Sequence, residues 1–212
     1  MKSLKGTALV ATVAACVVGV ASAGMNPDIT LPLHALPSTF EPCDGYLPVD
    51  CEAYGPTVTI EPGPTAIFLL AANYNALAGV QTAFLPDPTW TFTYGLWDCR
   101  PGQLVTQTPA PPFGPTAGTV AIAFSCLGGP GLAAIGRMYF TAGSTGCLEQ
   151  VESSYPFGIH VIDCQQGIDQ IPAYLSWRLG KVCVGDGGID ACEGPQPAVD
   201  AATWGRIKAQ YQ

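Results

Sequence analysis

Apolar residues along this chain come in short bursts separated by Gly, Pro and Asp, not in long helical stripes. Residues 57–60 (TVTI) alternate, and residues 65–74 (TAIFLLAANY) and 80–85 (VQTAFL) are denser apolar runs with Gly-Pro and Asp-Pro breaks around them. Runs bounded by turn residues in this way predict strands. Residues 89–94 (TWTFTY) alternate strictly, which predicts a strand with Trp90, Phe92 and Tyr94 on one face and the threonines on the other. Residues 119–126 (TVAIAFSC), 133–141, 147–152 and 160–164 continue the series. About nine short strands at spacings of roughly 8 to 15 residues predict an all-β sandwich or barrel.

Three stretches break the pattern. Residues 24–41 are Pro-rich and aperiodic, which predicts an extended lead-in, and residues 43–51 form a turn-rich loop. After the Pro-containing linker 194–197, residues 200–211 take helical spacing. Asp200 stands at the N-cap, and Trp204, Ile207 and Tyr211 lie along one stripe. At about 12 residues this C-terminal helix is marginal alone, so it is expected to dock on the sandwich or a partner through Trp204 and Ile207.

The first 23 residues follow a different rule. Lys2 and Lys5 precede the apolar run Gly6 to Val20, which leads into Ala21-Ser22-Ala23. That order of charge, apolar run and small residues predicts a secretory signal peptide cut after Ala23. An apolar run of about 15 residues is shorter than the roughly 20 that span a bilayer, so no membrane span is expected once the leader is gone. A lipobox reading of Val13 to Cys16 is the weaker alternative, because Val17 to Val20 would stand where a polar tether is usual. The expected organisation is therefore signal peptide 1–23, β-sandwich domain 24–194, and linker with short helix 195–212. The expected location is extracellular or periplasmic.

Compartment changes the reading of the cysteines. Cys16 leaves with the leader, so eight of the 9 remain. An even number in a secreted chain predicts four disulfides. Residues equidistant from a hairpin turn face each other, which predicts Cys147–Cys164 around Tyr155-Pro156 and Cys183–Cys192 around Gly187-Gly188. Cys43–Cys51 closes the turn-rich loop, leaving Cys99–Cys126. Zinc is disfavoured, because there is no C-x-x-C and only His34 and His160 could add nitrogen ligands. Lys2 and Lys5 also leave with the leader, so 8 basic residues become 6 against 16 acidic ones, a net charge of −10. That excludes nucleic acid and anionic lipid as natural partners, since both need a basic face.

The stretch from residue 65 to 94 resembles cohesin-like domains. Leu77-Ala-Gly-Val-Gln-Thr-Ala-Phe84 is similar to that family's "aGvqf" strand, and Asp87-Pro88 to its "yDP" turn. The strands at 118–126 and 135–141 (IGRMYFT) resemble its following pair, which ends in "G-x-L-x-F". Over about residues 57–152 the resemblance implies a nine-stranded jelly-roll-like sandwich used for non-catalytic binding at bacterial surfaces and on extracellular scaffolds. Cohesins are usually cysteine-poor and this chain carries no recognisable dockerin, so only the fold carries over.

Catalytic patterns are weak. Ser144 sits in Ala-Gly-Ser-Thr-Gly, not G-x-S-x-G. His160 and Asp163 on one strand would point to opposite faces, as would Glu149 and Glu152. Asp186, Asp190 and Glu193 lack the spacing of a calcium loop. The sequence thus predicts no enzyme, no cofactor and no metal, but a secreted binding or structural module whose partner is a protein or polysaccharide at the cell surface. The alternatives are a carbohydrate-binding module stacking sugars on Trp90, Phe92 and Tyr94, and, behind it, a secreted hydrolase.

Overall fold

The computed structural model describes residues 24–36, 57–96, 99, 104–108, 118–152, 158–172 and 175–192. Among them are strands β1 (Leu33–Leu36), β2 (Thr59–Ile60), β3 (Gly63–Pro86), β4 (Thr91–Leu96), β5 (Leu104–Thr108), β6 (Gly118–Ala142), β7 (Cys147–Val151), β8 (His160–Ile162), β9 (Ile168–Gln170) and β10 (Lys181–Val184). A 3-10 turn covers Ser176–Arg178. Apart from that turn the regular structure of the described residues is all-β, as the alternation predicted. Apolar runs expected as separate strands are, however, continuous: 65–74 and 80–85 share β3, and 119–126 and 133–141 share β6.

β3 and β6 pair antiparallel from Gly63↔Ala142 to Phe84↔Gly118. Strands of 24 and 25 residues exceed the usual five or six several-fold, and they stay compact because they are bent. Register shifts fall at Leu69/Leu70, Ala72/Tyr74, Tyr74/Ala76 and Leu77/Gly79, and an extra residue on one strand kinks it and tightens its twist. Asn73 lies at this corner with φ 58°, a left-handed conformation that Asn tolerates better than most side chains.

Partners change across the corner. Before it, β1 lies on β3 and β4 on β6. After it, β8 and β7 lie on β3 and β5 on β6. β7 continues to β10, which pairs in parallel with β2. The halves face each other as two layers: Ile67, Leu69, Met138 and Phe140 from one, and Val80, Phe84, Val120, Leu148 and Val182 from the other, form one buried cluster. Within it Thr82 Oγ1 donates to Gln150 Oε1, and Gln150 Nε2 donates to the Leu31 carbonyl, so two polar side chains are buried with partners.

The expected lead-in is not peripheral. Ile29, Leu31 and Leu33 are fully buried, and Thr30 exchanges backbone bonds with Ala72 at 3.0 Å in each direction. Asn26, also fully buried, donates Nδ2 to the Ala76 carbonyl and accepts on Oδ1 from the N–H groups of Asn75 and Ala76. It clasps the corner of β3 and supplies bonds that the irregular backbone there lacks.

The disulfides correct the hairpin argument. Cys126 pairs with Cys164 and Cys147 with Cys183, so Cys99–Cys126, Cys147–Cys164 and Cys183–Cys192 do not form. The reason is sheet order. β7 and β8 lie end to end along β3 instead of side by side, so Cys147 and Cys164 never face each other. Cys183 stands opposite Cys147 in the β10–β7 register. The chain after β10 folds back with Lys181 opposite Ile189, a reversal centred on residue 185 and not on Gly187-Gly188. Cys126 lies in the half of β6 remote from β4. Cys99 and Cys192 are disulfide-bonded as well; the expected Cys43–Cys51 pair lies outside the described residues. So does the helix expected at 200–211, with Trp204 and Ile207.

Candidate binding surface

Alternation along the second half of β6 separates two faces. Met138, Phe140 and Ala142 are buried in the main core, which turns Arg137, Tyr139 and Thr141 to the other side of the sheet. β4 lies beside them at the end of the strand order. The Asp87-Pro88 turn sets its start: Asp87 Oδ1 accepts from the Thr89 N–H and hydroxyl at 2.8 and 2.6 Å, and these bonds hold its carboxyl below the usual range. Gly146, at φ +95°, packs so closely on Asp87 that a Cβ would lie 2.2 Å from its carboxyl carbon.

Trp90 and Phe92 both turn inward. Their rings meet Phe140 edge-on at centroid distances of 6.0 and 5.3 Å, and Trp90 Nε1 donates to the Thr145 carbonyl at 2.9 Å. A register shift then falls between Phe92 and Tyr94. Thr93 is the extra residue, and Tyr94 emerges on the opposite face from the one that strict alternation assigned to it. The three-ring platform of Trp90, Phe92 and Tyr94 is therefore not assembled. Tyr94 instead is 45% exposed and stacks on Tyr139, with centroids 4.4 Å apart and planes at 26°. The Arg137 guanidinium lies 5.9 Å above the Tyr139 ring.

Arg137 and Tyr139 were not singled out from the sequence, although their i, i+2 spacing in IGRMYFT places them on one face. What hid the site was the bulge in β4, which leaves no mark in a run as regular as TWTFTY.

The residues weighed for catalysis are engaged elsewhere. Asp163 accepts from the N–H groups of Met25, Gln165 and Gly167 and shapes the β8–β9 turn. His160 is buried in β8, and that burial lowers its pKa. Ser144 lies in the exposed β6–β7 turn, and Glu149 pairs with Lys181 across β7–β10. Fully buried His34 donates Nε2–H to Asp190 Oδ1 at 3.0 Å, with Cys192 close by. Cys192 is in a disulfide and has no thiolate to offer a metal, so this trio reads as a structural tie between β1 and the segment after β10.

No family model matches the sequence, and no curated protein matches it. Among solved structures, the chain is similar to a cohesin module from a Clostridium perfringens ATCC13124 family 33 glycoside hydrolase. That match has 7% identity and a TM-score of 0.46, covering 76% of this chain and 97% of the module. It is also similar to a type II cohesin domain from the cellulosome of Acetivibrio cellulolyticus, at 10% identity and a TM-score of 0.49, covering 77% and 98%.

Proposed function

We propose that this chain is a secreted, non-enzymatic binding module of the bacterial cell surface or extracellular space. In this reading Tyr94, Tyr139 and Arg137 form the centre of the surface that holds a protein partner. The observation that carries the reading is the exposed ring of Tyr94, stacked on a partly buried Tyr139 that packs against a second apolar cluster and has the Arg137 guanidinium beside it. Tyrosine and arginine are the side chains most enriched where protein interfaces concentrate their energy. A stacked pair also presents apolar area at little further entropic cost on binding. The leader-like segment at 1–23 and the disulfides support an oxidising compartment. A protein partner is favoured over a sugar because burial of Trp90 and Phe92 leaves one exposed ring of the three a sugar platform would have used.

The test applies the mature protein to envelope fractions of the producing cell, before and after proteinase treatment, and to a glycan array. Retention abolished by proteinase, with a silent array, is the expected result. Proteinase-resistant retention with glycan hits would reassign the surface to carbohydrate recognition. Turnover of ester, glycoside or peptide substrates would overturn the non-enzymatic reading.

A further inference from the structure

We propose that the α-ammonium group freed by cleavage between Ala23 and Gly24 is itself a ligand of this fold, held by the carboxylates of Asp163 and Asp169, so that removal of the leader completes the structure.

The seat is visible in how the chain enters the fold. The Met25 N–H donates to Asp163 Oδ2 at 3.0 Å, and the Asn26 N–H to Asp169 Oδ2 at 2.6 Å. Gly24 lies against Asp169, one residue before the N–H that Asp163 accepts. A Cβ on it would stand 2.1 Å from Asp169 Oδ2, and a Cβ on Gly167 would stand 2.6 Å from Asp163 Oδ2 and 2.9 Å from the Gly24 Cα. Backbone dimensions then place the Gly24 nitrogen within roughly 5 Å of the Asp169 carboxylate. A side chain at this position would have to push the Asp169 carboxylate away, so the contact as it stands goes with glycine, the residue directly after Ala21-Ser22-Ala23.

Charge points the same way. Asp163 in the β8–β9 turn is only 2% exposed, Asp169 lies on β9, and Asp28 follows four residues after Gly24. Arg178, from the 3-10 turn, donates to the Pro27 carbonyl and lies 3.6 Å from Asp28. Three carboxylates thus stand against one guanidinium, which leaves a local surplus of negative charge. An amide at Gly24 in an uncut chain brings one donor and no charge. A free ammonium brings three donors and a positive charge to the same point, and charge-assisted bonds of this kind are about twice as strong as neutral ones. The segment so anchored contains Asn26, Ile29 and Leu31, which clasp the β3 corner and fill the core, so the end of the chain is coupled to the whole sandwich.

The sign of the pH dependence follows. Carboxylates beside an ammonium raise its pKa. Its contribution is therefore full below the ordinary α-amine range and is lost as pH rises above about 8 to 10.

The test compares the chain beginning at Gly24 with one that keeps Ala21-Ser22-Ala23, each also as Asp169→Asn. The expected result is a higher Tm for the mature chain at pH 6 to 7. That gap should close as pH rises past 10 and should be absent in the Asp169→Asn pair. Should the Asp169→Asn chains not fold, the pH dependence of the gap between the two unsubstituted chains decides. An NMR titration of the Gly24 amine should also give a midpoint above the ordinary α-amine range. Equal Tm values for the two chains, a gap indifferent to pH, or an amine titrating in its ordinary range would each overturn the proposal.

Discussion

Asp190 shows how a single carboxylate holds a surface segment to the sheet. The His34 Nε2–H bond lowers its pKa most, burial opposes that shift, and the Cys192 N–H adds to it. A carboxylate whose folded pKa lies below its unfolded one stabilises fully above the unfolded value and loses that contribution as pH falls through the folded one. The Tm advantage of the wild type over Asp190→Asn should therefore be full at pH 5 to 7 and shrink below about pH 4, as followed by circular dichroism. An advantage that grows on acidification would show that the His34 bond is not its source. Their pairing leaves no mark in the sequence, since they are 156 residues apart. Legibility at this scale depended on whether neighbours in sequence were neighbours in space. Trp90 and Phe92 were readable as one face because alternation is a local property. Tyr94 was not, because a bulge is decided by what the opposite strand requires.

At the scale of elements, the strands with dense or alternating apolar runs were legible, whereas β1, β5, β9, β10 and the connections were not. Bursts bounded by Gly and Pro marked the positions of β3, β4, β6, β7 and β8 to within a few residues, and the Asp87-Pro88 turn fell where the resemblance placed it. The continuity of β3 and β6 escaped because Asn73 and the Gly128–Gly131 region look like strand ends, whereas they are bends within strands. The disulfides failed for the same reason: hairpin symmetry sees only consecutive strands, whereas β7 pairs with β10 and β8 with β3 and β9. Non-reducing peptide mapping should return Cys126–Cys164 and Cys147–Cys183; a Cys147–Cys164 peptide would contradict the sheet order. Cys126–Cys164 spans 38 residues, for which chain entropy alone gives about 4 kcal/mol. Replacing both with serine should lower stability by up to that amount and loosen the β8–β9 hairpin first, which hydrogen exchange would detect.

For the whole molecule, the bent β3–β6 pair supplies two layers from two strands, the residues from Gly24 onward lock the bend, and β4 at the sheet edge offers Tyr94 to the outside. The proposed class of function starts from the weak catalytic patterns and the leader-like segment of the sequence, but the surface proposed for it could not be placed from the sequence. The surface proposed for binding exists only where two strands meet across a bulge. The most direct measurement is the affinity of the chain beginning at Gly24 for the proposed envelope partner, compared between wild type, Tyr94→Ala and Trp90→Ala, with Tm recorded for each. If the Tyr94–Tyr139–Arg137 surface is the site, Tyr94→Ala should weaken binding about thirty-fold or more, equivalent to about 2 kcal/mol at an interface centre, while its Tm stays close to wild type. Trp90→Ala should instead cost about 3–5 kcal/mol of stability. Wild-type affinity in a well-folded Tyr94→Ala protein would contradict the account.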